Sequence, residues 1–339
     1  MAQAAFLLPV RDAETTLAAA IESAVAQTRP AAAIVVIDDG SEDASASIAE
    51  QLAEQHPRIR VVRQGRLGLV PALNRGLREI SQPLVARLDA DDIAHPDRLA
   101  LQLPMLDADP HLTVVDSQVR IRRPGDQPPA EGMRRWQHWI GTVLSPEDFD
   151  RNLLIESPVV HPAATFRRDA VLDIGGYRDG PFPEDYDLWL RLHAAGARFR
   201  KVAAELHTMV DRPDRLTRVD PRYGRDGFRR VRQQWLGSTV LSTPKRVLLW
   251  GAGKSGRPWL RWLLQQGCTV PAVVDIDPKK IGNIRQGHVP IVAPDEVPEI
   301  TADIGLVAVA AWGARQDVRT SLHRLRPGWI EGRDWWAVC

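Results

Sequence analysis

Ile34-Val35-Val36-Ile37 is an unbroken apolar run that stops abruptly at Asp38-Asp39-Gly40-Ser41. A strand with one wet face alternates apolar and polar residues. A run that is apolar at every position must be covered on both faces, as in a parallel sheet sandwiched between helices. The neighbouring sequence supplies such helices. Residues 5–10 form another short apolar run, and 14–27 carry Leu17, Ile21 and Val25 on one helical face before Pro30 ends it. A helix over about 43–55, a strand over 59–62, a helix over 68–80 and a strand over 84–88 that ends at Asp89 continue the alternation. Strand, helix, strand with short links predicts an α/β fold with a mostly parallel sheet and helices on both faces.

Beyond residue 100 the pattern loosens. Arg122-Arg123-Pro124-Gly125-Asp126-Gln127-Pro128-Pro129 is a loop by composition. Trp136 and Trp139 follow in an amphipathic stretch, where packing is a better account than stacking on a ligand. Residues 185–195 read as a helix after Pro183-Glu184, and Trp189 within it reads as core. The stretch 205–225, rich in Arg and Asp with two prolines, is expected to wrap the surface. A second start follows Ser242-Thr243-Pro244: a strand over 246–250, Gly251-Ala252-Gly253-Lys254-Ser255-Gly256, a helix to about Gln266, and a strand over 270–274 that ends at Asp275. A strand over 304–310 and a helix from Ala314 complete a small α/β unit. The expected domains are therefore 1–240 and 244–339, as a chain of 339 residues allows.

Bulk properties exclude several classes. A formal net charge of +1 gives no electrostatic case for nucleic acid or an anionic membrane. Cys268 and Cys339 are too far apart in sequence to suggest a disulfide framework or a metal-ligand spacing, which fits a reducing, cytoplasmic setting. The apolar stretch at the N-terminus is short and lacks a basic flank, so it reads as a first strand, and no apolar run approaches the ~20 residues that span a bilayer. A peripheral contact at the inner membrane face stays compatible with this, and the oligomeric state is not legible.

In open parallel sheets, ligands bind beyond the carboxyl ends of the strands. Asp38-Asp39 and Asp89-Ala90-Asp91-Asp92 both fall there. The first group equally reads as a turn in which Ser41 or Asp43 caps the next helix. The second holds three carboxylates in four residues, which repel one another unless a cation lies between them. Two Asp side chains at i and i+2 can reach one Mn²⁺ or Mg²⁺ or its water. The competing account is a solvated acidic loop, with Asp92 or Asp97 capping a helix that starts near His95-Pro96.

FLLPVRDAETTLAAAIESAVAQT, IVVIDDGSED, GLVPALNRGL and ARLDADDIAHPDRLALQ, in this order and spacing, resemble the inverting family 2 glycosyltransferases of GT-A fold. HPAATFRRDAVLDIGGYRDGPFPEDYDLWLRL resembles the downstream half of that catalytic domain, so the likeness covers roughly residues 4–200. It implies that Pro9, Val10 and Arg11 line the donor base and ribose, although Arg11-Asp12 stand where the family more often has Tyr-Asn. It also implies that Asp38 and Asp39 hold base and ribose, that Asn74 and Arg75 lie near the donor, and that Asp89, Ala90 and Asp91 form the Asp-X-Asp motif, with Asp91 the direct metal ligand. His161-Pro162 matches the family pattern and reads as structural, and a late histidine, His207, is a candidate third metal ligand. Glu184-Asp185 matches the acidic pair, with Asp185 the general base. The chemistry asks for such a base independently, because the acceptor hydroxyl must lose its proton as it attacks. At a helix N-terminus, Asp185 is expected to stay ionised.

The resemblance thus implies a nucleotide-sugar donor, a UDP-sugar foremost with dTDP and GDP open. It also implies a saccharide or glycolipid acceptor and a role in cell-surface polysaccharide or glycoconjugate synthesis. In the second unit, Gly251, Gly253 and Gly256 with Asp275 meet the positional tests of a dinucleotide fingerprint. Helix–strand packing alone explains the same glycines. WGAGKSGRPWL and VVDIDPKKIGNIRQGHVPIV resemble small Rossmann-like nucleotide-binding domains attached to sugar-modifying enzymes. Two alternatives stand beside this reading: an NAD(P)-linked oxidoreductase that uses the C-terminal domain, and a non-catalytic nucleotide-sugar sensor.

Overall fold

The computed structural model describes residues 3–123, 125, 127–311 and 313–339, so Pro124 and Asp126 of the expected loop lie outside the described residues. The chain divides into two compact units, Met1–Phe149 with Ser157–Gly227, and Asp150–Glu156 with Phe228–Cys339.

The first unit is built on one sheet. Its strands are β1 (Ala4–Val10), β2 (Ala33–Asp39), β3 (Ile59–Gln64), β4 (Leu84–Arg87), β5 (Ile93–Ala94), β6 (Leu112–Arg122), β7 (Thr165–Arg167) and β8 (Arg198–Val210). They lie in the order β3-β2-β1-β4-β7-β6-β8-β5. β3, β2, β1 and β4 are parallel, β7 runs antiparallel between β4 and β6, β8 is parallel to β6, and β5 is antiparallel on β8. The sheet is therefore mixed, with its parallel half at the N-terminal side, as the sequence pattern predicts there.

Both faces of that half are buried. Phe6, Leu8, Ile34 and Val36 face one core with Leu17 and Ile21 of the helix Leu17–Val25 and Leu99 and Leu103 of the helix Arg98–Ala108. Ala5, Leu7, Val35 and Ile37 face the other, with Leu73 and Leu77 of the helix Leu69–Glu79 and Leu188 and Trp189 of the helix Glu184–Ala194. Alternate residues of one apolar run thus feed two cores. Gly76 permits the close approach of the helix Leu69–Glu79 to β1, since a Cβ there would lie 2.0 Å from Leu7 Cδ1. Trp189 is fully buried against Phe166, Phe199 and His161, as expected of core. Trp136 and Trp139, on the helix Glu131–Thr142, pack against the cluster of Val119 and Ile121.

Residues 205–210 do not wrap the surface: they are the end of β8, paired with β6 and β5, and Leu206, His207 and Met209 are buried. The Arg-rich surface stretch begins only after Asp211, which is itself buried. A second buried charge sits earlier on β8, where Lys201 ion-pairs with Asp116 of β6 and both side chains are 0% exposed. Asp116 also accepts the amide of Val160 at 2.9 Å, so the pair fastens the segment before β7 to the sheet.

The second unit has strands β9 (Val247–Trp250), β10 (Val273–Val274), β11 (Ile284–Arg285), β12 (Val289–Val292), β13 (Ile304–Val307) and β14 (Trp335–Ala337). Their order is β11-β12-β10-β9-β13-β14, parallel except for β11 on β12. The strand expected over 270–274 is shorter in fact, Val273–Val274, with one isolated bridge ahead of it between Thr269 and Arg246. Among the described residues, no helix is long and apolar enough to cross a membrane.

Removing one partner of a buried ion pair leaves an uncompensated charge. Lys201→Met is therefore expected to destabilise the first unit by about 3–5 kcal/mol. A urea titration read on that unit's unfolding transition checks this, and an unchanged midpoint would refute the assigned role.

Candidate active site

The parallel strands deliver their acidic ends to one edge of the sheet. Val10 is in register with Asp38, and Leu7 with Arg87, two residues before Asp89. Just past β4, one carboxylate oxygen from each of Asp89, Asp91 and Asp92 lies within 4.8 Å of the others. Each carboxylate is also tied to a basic group. Asp89 Oδ1 accepts from Arg87 Nη2 at 2.6 Å, Asp91 Oδ2 from Arg212 Nη2 at 2.9 Å, and Asp92 Oδ2 lies 2.8 Å from His207 Nε2. The second oxygens of Asp89 and Asp91 receive no hydrogen bond from the described residues. Burial, then the charges of Asp89 and Asp92, push Asp91 up to about 6. Burial would raise Asp89 too, but Arg87 foremost, with Arg215, holds it below the usual range. A cluster in which one member ionises only against its neighbours has the donor set and the electrostatic need for a divalent cation. His207 stands behind this cluster as the buried partner of Asp92 and is not among the three residues whose oxygens converge.

Glu184 and Asp185 open the helix Glu184–Ala194. Glu184 is buried and accepts a hydrogen bond from the Tyr223 hydroxyl at 2.6 Å. Burial raises its pKa. Asp185 is half-buried at its surface, and its Oδ1 accepts from the amide of Tyr186 at 2.7 Å. Here the expectation from the helix N-terminus gives way: burial first, then the charge of Glu184, lifts Asp185 to about 8. Asp89 contributes to the same rise, which ties the acidic pair electrostatically to the cluster. Nearby, His161 Nε2 lies 2.8 Å from the Tyr177 hydroxyl, and burial plus Arg87 pull the imidazole well below its usual pKa, so it is neutral.

The remaining expected residues divide. Pro9 and Val10 are buried at the end of β1, and Ala90 is half-buried between the two aspartates. Arg11 is partly exposed, 3.7 Å from Asp39. Asp38 is fully buried, and its Oδ2 has no hydrogen-bond partner, with Arg63 at 3.7 Å. The Asp39 carboxylate is instead filled by the chain itself: Gln64 at 2.8 Å and the amides of Leu67 and Gly68 at 2.9 Å. Asn74 exchanges two bonds with the backbone of Tyr177, at 2.8 and 2.9 Å, and Arg75 pairs with Glu79 at 2.7 Å. Capping takes a form unlike the one expected, since Asp43 and Ser41 tie two loops together. Asp12 and Glu14 donate amides to Ser41 and Asp43, while Glu42 and Ala44 donate amides back to Asp12 and Glu14, all at 2.8–3.1 Å.

In the second unit the three glycines form the tight turn after β9. A Cβ on Gly256 would lie 1.7 Å from the Gly251 carbonyl oxygen, so the third glycine serves the approach of helix to turn. Asp275 accepts from the amide of Ala252 at 2.8 Å and from Lys280 at 3.3 Å.

Residues 6–175 match the family described as Glycosyl transferase family 2. The chain belongs to that family. The amylovoran biosynthesis glycosyltransferase AmsE of Erwinia amylovora is 30% identical over 200 residues, which cover 59% of this chain and 68% of AmsE. The crystal structure of S. aureus TarS 1–349 in complex with UDP-GlcNAc is similar in fold, with TM-score 0.54 at 15% identity over 70% of this chain and 67% of that one. So is the mannosyltransferase PcManGT of Pyrobaculum calidifontis in complex with GDP-Man and Mn²⁺, with TM-score 0.51 at 19% identity over 78% and 68%. This family 2 chain is accordingly a glycosyltransferase with an α/β fold of GT-A type.

Several residues that contact these acidic groups escape a motif reading. Arg87 carried a usable signal, since a charge inside the apolar strand Leu84–Arg87 requires a buried partner. Arg212, Arg215 and Tyr223 sat in a stretch legible only as polar.

The raised pKa of Asp185 has a consequence for stability. A carboxyl whose folded pKa exceeds its unfolded value of about 4 stabilises the fold when protonated and loses that contribution as pH rises toward the folded pKa. Asp185→Asn lacks this loss. Its melting temperature is expected to gain on the wild type between pH 5 and about 8, then hold a constant lead. A pH series of thermal melts with a flat difference would contradict the assigned environment.

Proposed function

We propose that this glycosyltransferase moves a sugar, with inversion, from a nucleoside-diphosphate sugar to an acceptor hydroxyl, with a UDP-sugar as donor. The observation that carries the proposal is the pairing of two acidic groups of different character. One is a carboxylate cluster suited to a divalent cation, the other a carboxyl lifted to about 8. Asp89 and Asp91 would hold Mn²⁺ or Mg²⁺, which when bound supplies positive charge to the departing diphosphate. Asp185 takes the proton of the acceptor hydroxyl, and its pKa near the working pH suits a general base. Glu184, fixed by Tyr223, sets the charge beside it. Asp38, with an unpartnered buried oxygen, receives donors of the nucleoside, while Asp39 acts by holding residues 64–68 in place. We assign His207 to Asp92 rather than to the cation.

TarS and PcManGT bind UDP-GlcNAc and GDP-Man with Mn²⁺ respectively, and AmsE serves amylovoran synthesis. These support a nucleotide-sugar donor, and a saccharide or glycolipid acceptor in cell-surface polysaccharide assembly on the cytoplasmic side. We further propose a working division into a catalytic domain over 1–240 and a Rossmann-like domain over 244–339 that docks a nucleotide or nucleotide-sugar, while compactness groups 228–240 with the second unit. The bonds from Ala252 and Lys280 to Asp275 argue against a free ribose-binding acid there, and so against NAD-linked redox chemistry.

Calorimetric titration with UDP, with and without Mn²⁺, tests the donor site. Wild type is expected to bind in a metal-dependent way, and Asp91→Ala to lose at least about tenfold in affinity. Absence of binding under every metal condition would reject UDP. Asp185→Asn should keep UDP affinity within about twofold and lose about 10²–10⁴ in kcat. In the wild type, kcat/KM should climb with pH up to about 8 and level above it, as the free enzyme's base ionises. Full turnover by Asp185→Asn would remove Asp185 from the mechanism.

A further inference from the structure

Beyond β8, the chain from Asp211 to Tyr223 is fastened to both acidic groups of the site. At its start, Arg212 Nη2 donates to Asp91 Oδ2 at 2.9 Å, and at its end the Tyr223 hydroxyl donates to Glu184 Oε2 at 2.6 Å. Internal bonds hold the strap between these points: Arg218 clasps Asp211 at 2.6 and 2.8 Å, and Arg222 reaches Asp220 at 2.9 Å. Arg215 adds positive charge felt by both Asp89 and Asp91.

We propose that Arg212 is a built-in counter-ion that occupies Asp91 until the divalent cation arrives, and that it then passes to the diphosphate of the donor. The inference rests on the donor and cation reading above. One carboxylate carries one negative charge, and a guanidinium beside a divalent cation on the same group is repelled. Loading the cation therefore loosens Arg212. Its planar fork then keeps only the exposed Asp214, 3.5 Å from Nε, and phosphate oxygens can take the place of Asp91 on Nη2. Arg87 cannot serve instead, because it is fully buried and bonded to the Leu88 carbonyl and to Asp89. Arg212 is 29% exposed and Asp91 20%, so the pair sits where a ligand can reach it. The exchange couples the two ligands: cation alone binds weakly because it displaces Arg212, and the diphosphate restores what was lost. By linkage each raises the affinity of the other.

The test is a Mn²⁺ titration followed by electron paramagnetic resonance of the free ion, on the full chain, with and without UDP. The proteins are wild type, Arg212→Ala and Arg212→Lys. Without UDP, Arg212→Ala is expected to bind Mn²⁺ about three- to fivefold tighter than wild type, the size of a partly screened ion pair. UDP in the presence of Mn²⁺ should bind Arg212→Ala at least about fivefold more weakly. Arg212→Lys, which keeps the charge, should stay near wild type for Mn²⁺ alone and recover part of the UDP affinity. Unchanged or weaker Mn²⁺ binding by Arg212→Ala without UDP, with wild type binding both ligands, overturns the counter-ion role alone. Failure of wild type itself to bind UDP with any metal overturns the donor reading and this inference with it.

Discussion

The guanidinium of Arg87 is the charge around which the first unit's acidic edge is arranged. It is 1% exposed and lies at the end of a central strand, where an unpaired cation would not be tolerated. Its bonds to the Leu88 carbonyl and to Asp89 fix the backbone where the strand gives way to the carboxylate cluster. Its field reaches further: it helps hold Asp89 ionised, adds to the burial that keeps His161 neutral, and tempers the upward shifts of Tyr177 and Glu184. One buried positive charge thus biases several neighbouring groups, while the proton on Asp185 follows from burial and the charge of Glu184.

The parallel half of the sheet was legible because its physics is local. Short apolar runs bounded by turn residues fit doubly buried strands, and alternate residues of β1 and β2 do enter opposite cores. The motifs marked the right edge of the sheet for the same reason, since the strands that carry them stop together. What the sequence did not reveal depends on pairing at a distance. Residues 205–210 read as surface because of their polar neighbours, yet β6 and β5 claim them as a strand. The charge state of Asp185 likewise follows from burial and from Glu184, and only the first-turn position was visible in the sequence.

Motif membership and ligand contact are also different properties. Asp39 and Asn74 both belong to the segments that carry the family likeness. In the folded chain their polar atoms are engaged by Gln64, Leu67, Gly68 and Tyr177. These residues shape the site by holding its loops in place. The strap residues show the reverse case: Arg212 and Tyr223 meet the acidic groups directly while belonging to no recognisable pattern.

The reciprocal bonds between the loops after β1 and β2 carry a further implication. Asp12, held in a left-handed backbone with φ of 51°, accepts from Glu42 and donates to Ser41, while Glu14 exchanges bonds with Asp43 and Ala44. Asn and Asp tolerate that backbone better than other side chains, so either can stand at position 12. Each bond runs from a backbone amide of one loop to a side-chain oxygen of the other, so neither loop's position is set by its own residues alone.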